Sequence, residues 1–207
     1  MSSSNRVEIS RSKVRDDPEV RVSELIDRVG RVTRGLQFVN GLSPAQWEAL
    51  RFTARANRYS LSPTALAKYL GTTKGTISQT LISLEKKGYL QRLRDEHDRR
   101  SVRLELTPAG LRLLEQDPLF EIDKAVACLP AHEKDALFDG LNRVLRDVQR
   151  KLGGNEFGVC EECSLFSAEN TPGAPDSAYQ CGLTKEAISD DESRLICVNF
   201  RSMDDSA

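Results

Sequence analysis

The chain has 207 residues, 39% of them hydrophobic and 29% charged, which suffices for one or two domains with a real core. No apolar run approaches the roughly 18 residues a membrane helix needs. The formal net charge of -1 hides a split. Residues 1–106 carry 20 Lys+Arg against 12 Asp+Glu, residues 107–207 carry 10 against 19, and only the basic half is suited to a polyanion.

The opening Met1-Ser-Ser-Ser-Asn-Arg contains no apolar run, so no secretory leader is expected and the compartment reads as a reducing cytoplasm. Residues 1–19, polar and broken by Pro18, read as a mobile tail. Val22, Leu25, Ile26, Val29, Val32, Leu36 and Val39 then recur at helical spacing, and Asn40-Gly41 ends that helix. Ser43-Pro44-Ala45-Gln46 starts a second helix with Trp47, Leu50 and Ala54 inward. Ser62-Pro63 starts a third, with Leu66 and Leu70 inward, and Gly71 stops it. Thr72 or Thr73 caps a fourth, with Ile77, Leu81 and Leu84 inward and Gly88 at its end.

At that point the period changes from helical to alternating. Val102, Leu104 and Leu106 alternate with Ser101, Arg103 and Glu105, a half-buried strand for which Tyr89 to Arg94 can be the antiparallel partner. The connection, Asp95 to Arg100, is wholly polar, so a hairpin with a charged tip fits. Thr107-Pro108 caps a further helix, interrupted around Asp117-Pro118 and again at Pro130. Leu137, Leu141, Val144, Leu145, Val148 and Leu152 mark a long amphipathic helix stopped by Gly153-Gly154. Beyond it periodicity is lost, and residues 168–180 read as loop.

Two short helices meeting at a tight break, followed by a charged hairpin, form the pattern of a helix-turn-helix with a wing. Thr72, Thr73, Lys74, Gly75, Thr76, Gln79 and Ser83 mark the start and outer face of the fourth helix. That face is small and polar and carries no acid, so it could enter a major groove. Gln79 can pair with adenine, the hydroxyls can reach base edges, and Lys74 suits a phosphate. A solvated surface helix would show the same residues; the hairpin beside it tilts the reading to double-stranded DNA.

Between Leu42 and Pro118 the chain carries Leu42-Ser-Pro-Ala-Gln-Trp, Leu66-Ala-Lys-Tyr-Leu-Gly, Thr76-Ile-Ser-Gln-Thr-Leu, Leu84-Glu-Lys-Lys-Gly-Tyr-Leu, Asp98-Arg-Arg-Ser and Leu106-Thr-Pro-Ala-Gly. In these motifs the stretch resembles the MarR family of winged helix-turn-helix regulators. With flanking helices the resemblance spans about residues 20–152. It implies a mainly α (α+β) winged helix-turn-helix with long dimerisation helices, a homodimer, and in many members a small-molecule effector. The family's wing motif maps to Asp98 and Arg100, with Arg99 beside them, and implies an arginine held in the minor groove. The peroxide-sensing cysteine of some members is absent, because no Cys precedes Cys128. Cys128 itself sits in the apolar run Ala125-Val-Ala-Cys-Leu129 and is expected in the core.

Residues 153–207 extend beyond the family's usual length and carry 3 Lys+Arg against 11 Asp+Glu, so contact with DNA is not expected there. Cys160, Cys163, Cys181 and Cys197 follow the spacing Cys-x2-Cys-x17-Cys-x15-Cys. A Cys-x-x-Cys turn and two further thiolates complete the ligand set of a zinc ion or a four-iron iron-sulfur cluster, and the spacing leaves both open. Leu165, Phe166, Leu183, Val198 and Phe200 could shield the centre, and metal could hold this small C-terminal segment folded. No catalytic triad, phosphate loop or paired catalytic carboxylate is visible, so an enzyme is not expected. The expected function is that of a cytoplasmic, homodimeric transcription regulator, a repressor on a pseudo-palindromic operator, whose metal site either senses redox or metal or staples the tail. The alternatives are a winged-helix protein-interaction module and an iron-sulfur electron carrier.

Overall fold

A computed structural model describes residues 17–94, 102–154, 156–167 and 179–203. The chain divides into two compact units, Met1–Pro44 and Ala45–Ala207. The first holds helix α1, Pro18–Leu36. Pro18 does not interrupt a tail here but occupies the first helical turn, where its missing N–H is no loss, and Asp17 caps it by accepting from Glu19 N–H. No residue of α1 is buried, and Val22, Leu25, Val29 and Val32 are each about half exposed.

From the second residue of α2 (Pro44–Arg55) the chain belongs to the second unit, which continues with α3 (Pro63–Tyr69) and α4 (Lys74–Lys86). Ser62 caps α3 through Ala65 N–H, and Thr73 caps α4 through Thr76 N–H. Trp47, Leu50, Phe52, Leu66, Ile77, Leu81 and Leu84 form the core where these helices meet. Helix α2 is wrapped on most of its circumference, burying Gln46, Trp47, Ala49, Leu50, Phe52 and Thr53. That explains two departures from the expected pattern. Phe52 is inside, and Ala54 falls with Arg55 on the narrow strip left exposed.

Strands β1 (Leu90–Arg94) and β2 (Val102–Leu106) pair antiparallel, from Leu90 opposite Leu106 to Arg94 opposite Val102. The expected alternation holds in β2: Leu104 is buried, Val102 and Leu106 half-buried, Arg103 and Glu105 exposed. The N–H of Leu104 donates to the Leu61 carbonyl, which ties the hairpin to the α2–α3 linker (2.9 Å).

Thr107 shows why Leu106-Thr-Pro-Ala-Gly follows the hairpin. Its hydroxyl accepts from Gly110 N–H, capping α5 (Pro108–Leu114), and donates to the Gly88 carbonyl. This draws Gly110 onto the Tyr89 carbonyl so closely that a Cβ there would lie 2.0 Å from the oxygen. Only glycine tolerates that approach.

Helices α6 (Phe120–Ala127) and α7 (Ala131–Lys151) follow, with breaks at Pro118 and Pro130 as expected. Neither buries a residue. Leu137, Leu141, Val144, Leu145 and Val148 of α7 are 42–54% exposed along one stripe. Cys128, at the end of α6, is a correction to the expected core cysteine: it is exposed, and its thiol donates to the Lys124 carbonyl. Its apolar neighbours lie on and just after a helix none of whose residues is buried.

The region after Gly154 is more ordered than the loss of periodicity implies. Strand β3 (Gly158–Val159) pairs with β7 (Ile196–Cys197), and β4 (Phe166–Ser167), β5 (Tyr179–Cys181) and β6 (Ala187–Ile188) form a second small antiparallel sheet. A 3-10 turn, Cys160–Glu162, and a short helix α8, Asp190–Ser193, complete it. Strands of two or three residues are too short to show an alternating pattern, so they escape sequence reading.

Candidate nucleic-acid interface and cysteine centre

The outer face of α4 is built by its cap. Thr73 turns the chain into the helix, and its hydroxyl lies 3.0 Å from that of Thr76. Lys74, Gly75, Thr76 and Gln79 are exposed, and Thr72 is half-buried. A Cβ on Gly75 would meet only the Thr73 hydroxyl, at 3.8 Å, so internal packing does not require this glycine. Ser83 stands differently from the other six. Half-buried like Thr72, it alone has a hydroxyl that accepts from Gln46 Nε2 of α2, at 2.8 Å, which places it at the inner edge of the face.

Near the far end of α4, Glu85 is taken up by Arg92 of β1, with Arg92 Nε donating to Glu85 Oε1 at 2.9 Å. That pair joins helix to hairpin, offsets the acid nearest the face, and raises the Arg92 guanidinium above its ordinary value. Asp98, Arg99 and Arg100 lie outside the described residues. The strands leading to them end in Arg94 and Val102 as opposite partners.

The four tail cysteines come from three separate segments and line one cavity. Cys160 opens the 3-10 turn and Cys163 closes it, with Cys163 N–H donating to the Cys160 carbonyl (2.9 Å). Cys181 ends β5 and Cys197 ends β7. All four line a cavity of about 20 Å3, together with Tyr59 and Ile188, which is room for about one water-sized body. Cys160, Cys163 and Cys197 are buried beside Ile188 and Phe200, with Leu165, Phe166 and Tyr179 packed around them. Phe200, Leu165 and Phe166 thus stand where a shield was expected, and Leu183 lines the cavity while remaining about half exposed. Ile188 was missed, because nothing in sequence links it to a cysteine.

Cys160 and Cys197 are in thiol–thiol contact. The hydrogen bond between them lowers the Cys197 thiol, and the same bond, with burial, raises that of Cys160. Among the described residues no three His, Cys, Asp or Glu side chains stand close enough together to hold a single ion as they are. The fold brings four thiols to the lining of one largely apolar cavity.

No periodicity or spacing along the chain indicates what these cysteines rest on. The α2–α3 linker docks against it. Asn57 N–H donates to the Ile196 carbonyl (3.0 Å), and Asn57 Nδ2 donates to Cys160 Sγ (3.8 Å). Ser60 Oγ donates to Asn57 Oδ1 (2.7 Å) and accepts from Val198 N–H (3.0 Å). Asn57 and Ser60 are almost fully buried. Around them, Arg58 reaches Glu186, the Ala187 carbonyl and Glu192, and the Tyr59 hydroxyl donates to Glu186.

Comparison with known proteins bears on the first of these sites. A model of the MarR family matches residues 40–101. The HTH-type transcriptional repressor YetL of Bacillus subtilis is 38% identical over 128 residues, covering 61% of this chain and 68% of that protein. The HTH-type transcriptional regulator SarZ of Staphylococcus haemolyticus is 31% identical over 94 residues, covering 43% of this chain and 61% of SarZ. Among solved structures, Streptococcus pneumoniae FabT in complex with DNA shares the fold, with a TM-score of 0.51 and 24% identity over 63% of this chain and 96% of FabT. A variant of S. aureus MepR has a TM-score of 0.51 and 21% identity over 64% of this chain and 99% of its own. From its helix-turn-helix, its paired hairpin and these relatives, the chain belongs to the MarR family of winged helix transcriptional regulators.

Proposed function

We propose that this protein is a sequence-specific DNA-binding regulator, a repressor acting as a homodimer on a pseudo-palindromic operator in the cytoplasm, with a metal centre on its four tail cysteines. The observation that carries the DNA reading is the face of α4. Lys74, Gly75, Thr76 and Gln79 stand exposed on a capped helix beside a hairpin that leads to Arg99 and Arg100. Such a face fits a major groove, and an adjacent basic wing fits the minor groove. The repressor YetL and the DNA complex of FabT support it. No helix among the described residues is long and apolar enough to cross a membrane.

The homodimer is supported by α1 and α7. An apolar stripe along α7, with no residue of that helix buried, marks an association surface. A second copy presents the same stripe, as a two-fold interface requires.

The metal reading rests on the convergence of Cys160, Cys163, Cys181 and Cys197 on one cavity. Four thiols in a reducing compartment, collected from segments up to 37 positions apart in sequence, are more economically explained as ligands than as packing. Bound there, the metal would supply cross-linking of one turn and two strands, and redox chemistry if it is iron.

The test is selection of binding sites from random duplex DNA with full-length protein, followed by titration of the selected duplex. Recovery of an inverted repeat bound with strong salt dependence is expected. Failure to enrich any duplex would favour the protein-interaction alternative. Metal analysis and the visible spectrum of anaerobically purified protein separate iron and sulfide from zinc, and absence of both would end the metal reading.

A further inference from the structure

We infer that Asn57 and Ser60 are positioning residues that couple the four-cysteine centre to the helix-turn-helix, so that occupancy of the centre sets operator affinity through the α2–α3 linker. The inference rests on the reading of the four cysteines as metal ligands. It goes beyond that reading by naming the route and the residues.

The linker has few residues, and its hydrogen bonds run in two directions. On one side it grips the centre. Asn57 Nδ2 donates to Cys160 Sγ, and Cys197 is held between two linker bonds, Asn57 N–H to the Ile196 carbonyl and Val198 N–H to Ser60 Oγ. On the other side it leads straight into the DNA-reading elements. Leu61, next to Ser60, accepts from Leu104 N–H of the wing strand β2. Ser62 caps α3, the first helix of the helix-turn-helix. The bond from a cysteine segment at Ser60 therefore lies two positions from a helix cap at Ser62 and one position from the wing contact at Leu61.

Burial makes the coupling stiff. Asn57 is 1% and Ser60 0% exposed, so neither can exchange a lost partner for water without opening the interface. Metal binding turns thiols into thiolates that accept stronger hydrogen bonds from donors around them. Asn57 Nδ2, already aimed at Cys160, is such a donor. Arg58 and Tyr59, through Glu186, Ala187 and Glu192, hold the outer rim of the same contact. A centre that binds or releases metal thus changes the partner of a buried linker side chain, and the linker carries the change to α3 and β2.

The experiment uses full-length wild type, Asn57→Ala, Ser60→Ala and Arg58→Ala. Each is loaded anaerobically with zinc, or with iron and sulfide, and compared with its chelator-stripped form. Metal content, metal release rate and affinity for the selected operator duplex are measured. For wild type, the loaded form is expected to bind the operator about tenfold tighter than the stripped form. Asn57→Ala should keep full metal stoichiometry, because all four thiols remain, but lose metal about tenfold faster, as expected for an outer-shell partner. Its loaded and stripped affinities should agree within about twofold. Ser60→Ala and Arg58→Ala should narrow the ratio in the same direction. Arg58 is on the surface, so Arg58→Ala decides the matter should Asn57→Ala fail to fold by circular dichroism. Metal uptake with a wild-type ratio of one, or a full ratio retained in the folded variants, overturns the coupling while leaving the metal site intact. No metal uptake by wild type overturns the metal site itself and the coupling with it.

Discussion

Arg51 of α2 and Asp117, beyond the end of α5, form a two-pronged ion pair, with Nε donating to Oδ2 at 2.6 Å and Nη2 to Oδ1 at 3.1 Å. Both side chains are largely shielded, and Asp117 Oδ1 also accepts from Leu119 N–H, so one carboxylate fixes the bend into α6 and anchors it on the core helix. Planar two-bond geometry of this kind is strong and specific to arginine. Asp117→Ala leaves Arg51 without its partner, and a loss of about 3 kcal/mol is expected. Differential scanning calorimetry should record it as a fall in Tm of roughly 6–12 °C. A Tm unchanged within 2 °C (an order-of-magnitude bound from the same scaling, roughly 0.5–1 kcal/mol) would contradict the structural weight given to the pair.

Gly110 gives a second stability prediction. A Cβ at that position would meet the Tyr89 carbonyl oxygen at 2.0 Å and its carbon at 3.0 Å. The obstacle is backbone that already accepts from Thr107 N–H, so it cannot swing aside as a side chain could. Gly110→Ala should cost about 2–3 kcal/mol although alanine is the better helix former. Urea denaturation that shows equal or greater stability would mean that α5 can shift freely on the hairpin.

On α4, Gln79 is exposed and stands six positions past the cap Thr73. Gln79→Ala should weaken operator binding by roughly 1–3 kcal/mol and relax preference at one base position per half-site. Arg99→Ala with Arg100→Ala should weaken all duplexes together and lower the slope of affinity against salt by about 1 or more per protomer. Titrations at several salt concentrations separate the two patterns. A uniform loss from the Gln79 change would remove it from base reading.

The stripe on α7 yields a prediction about assembly. Leu141 and Leu145 are 45% and 54% exposed in one chain, so a charge at either costs the isolated chain little. Leu141→Glu with Leu145→Glu should abolish dimers in sedimentation equilibrium while helical circular dichroism persists. Operator affinity should fall at least about a hundredfold, since each half-site would then be bound alone. Persistent dimers would place the interface elsewhere.

The elements up to Lys151 are largely legible in the sequence. Helical period, the caps Ser62 and Thr73, and the alternation around Leu104 are local properties, fixed by residues within a few positions of one another. The clustering of Cys160, Cys163, Cys181 and Cys197 was equally visible as spacing. Tertiary structure decided what those features touch. It exposed Cys128, turned Ser83 toward Gln46, buried Phe52 and brought Ile188 to the thiols. Above all it seated the tail on the α2–α3 linker, through bonds such as Asn57 to Cys160 and Val198 to Ser60 that span 103 and 138 positions. A periodicity read along the chain reports only which side of an element is apolar. Which distant segment covers that side depends on the closure of long loops and on buried polar groups finding partners, and those are satisfied only in the assembled fold.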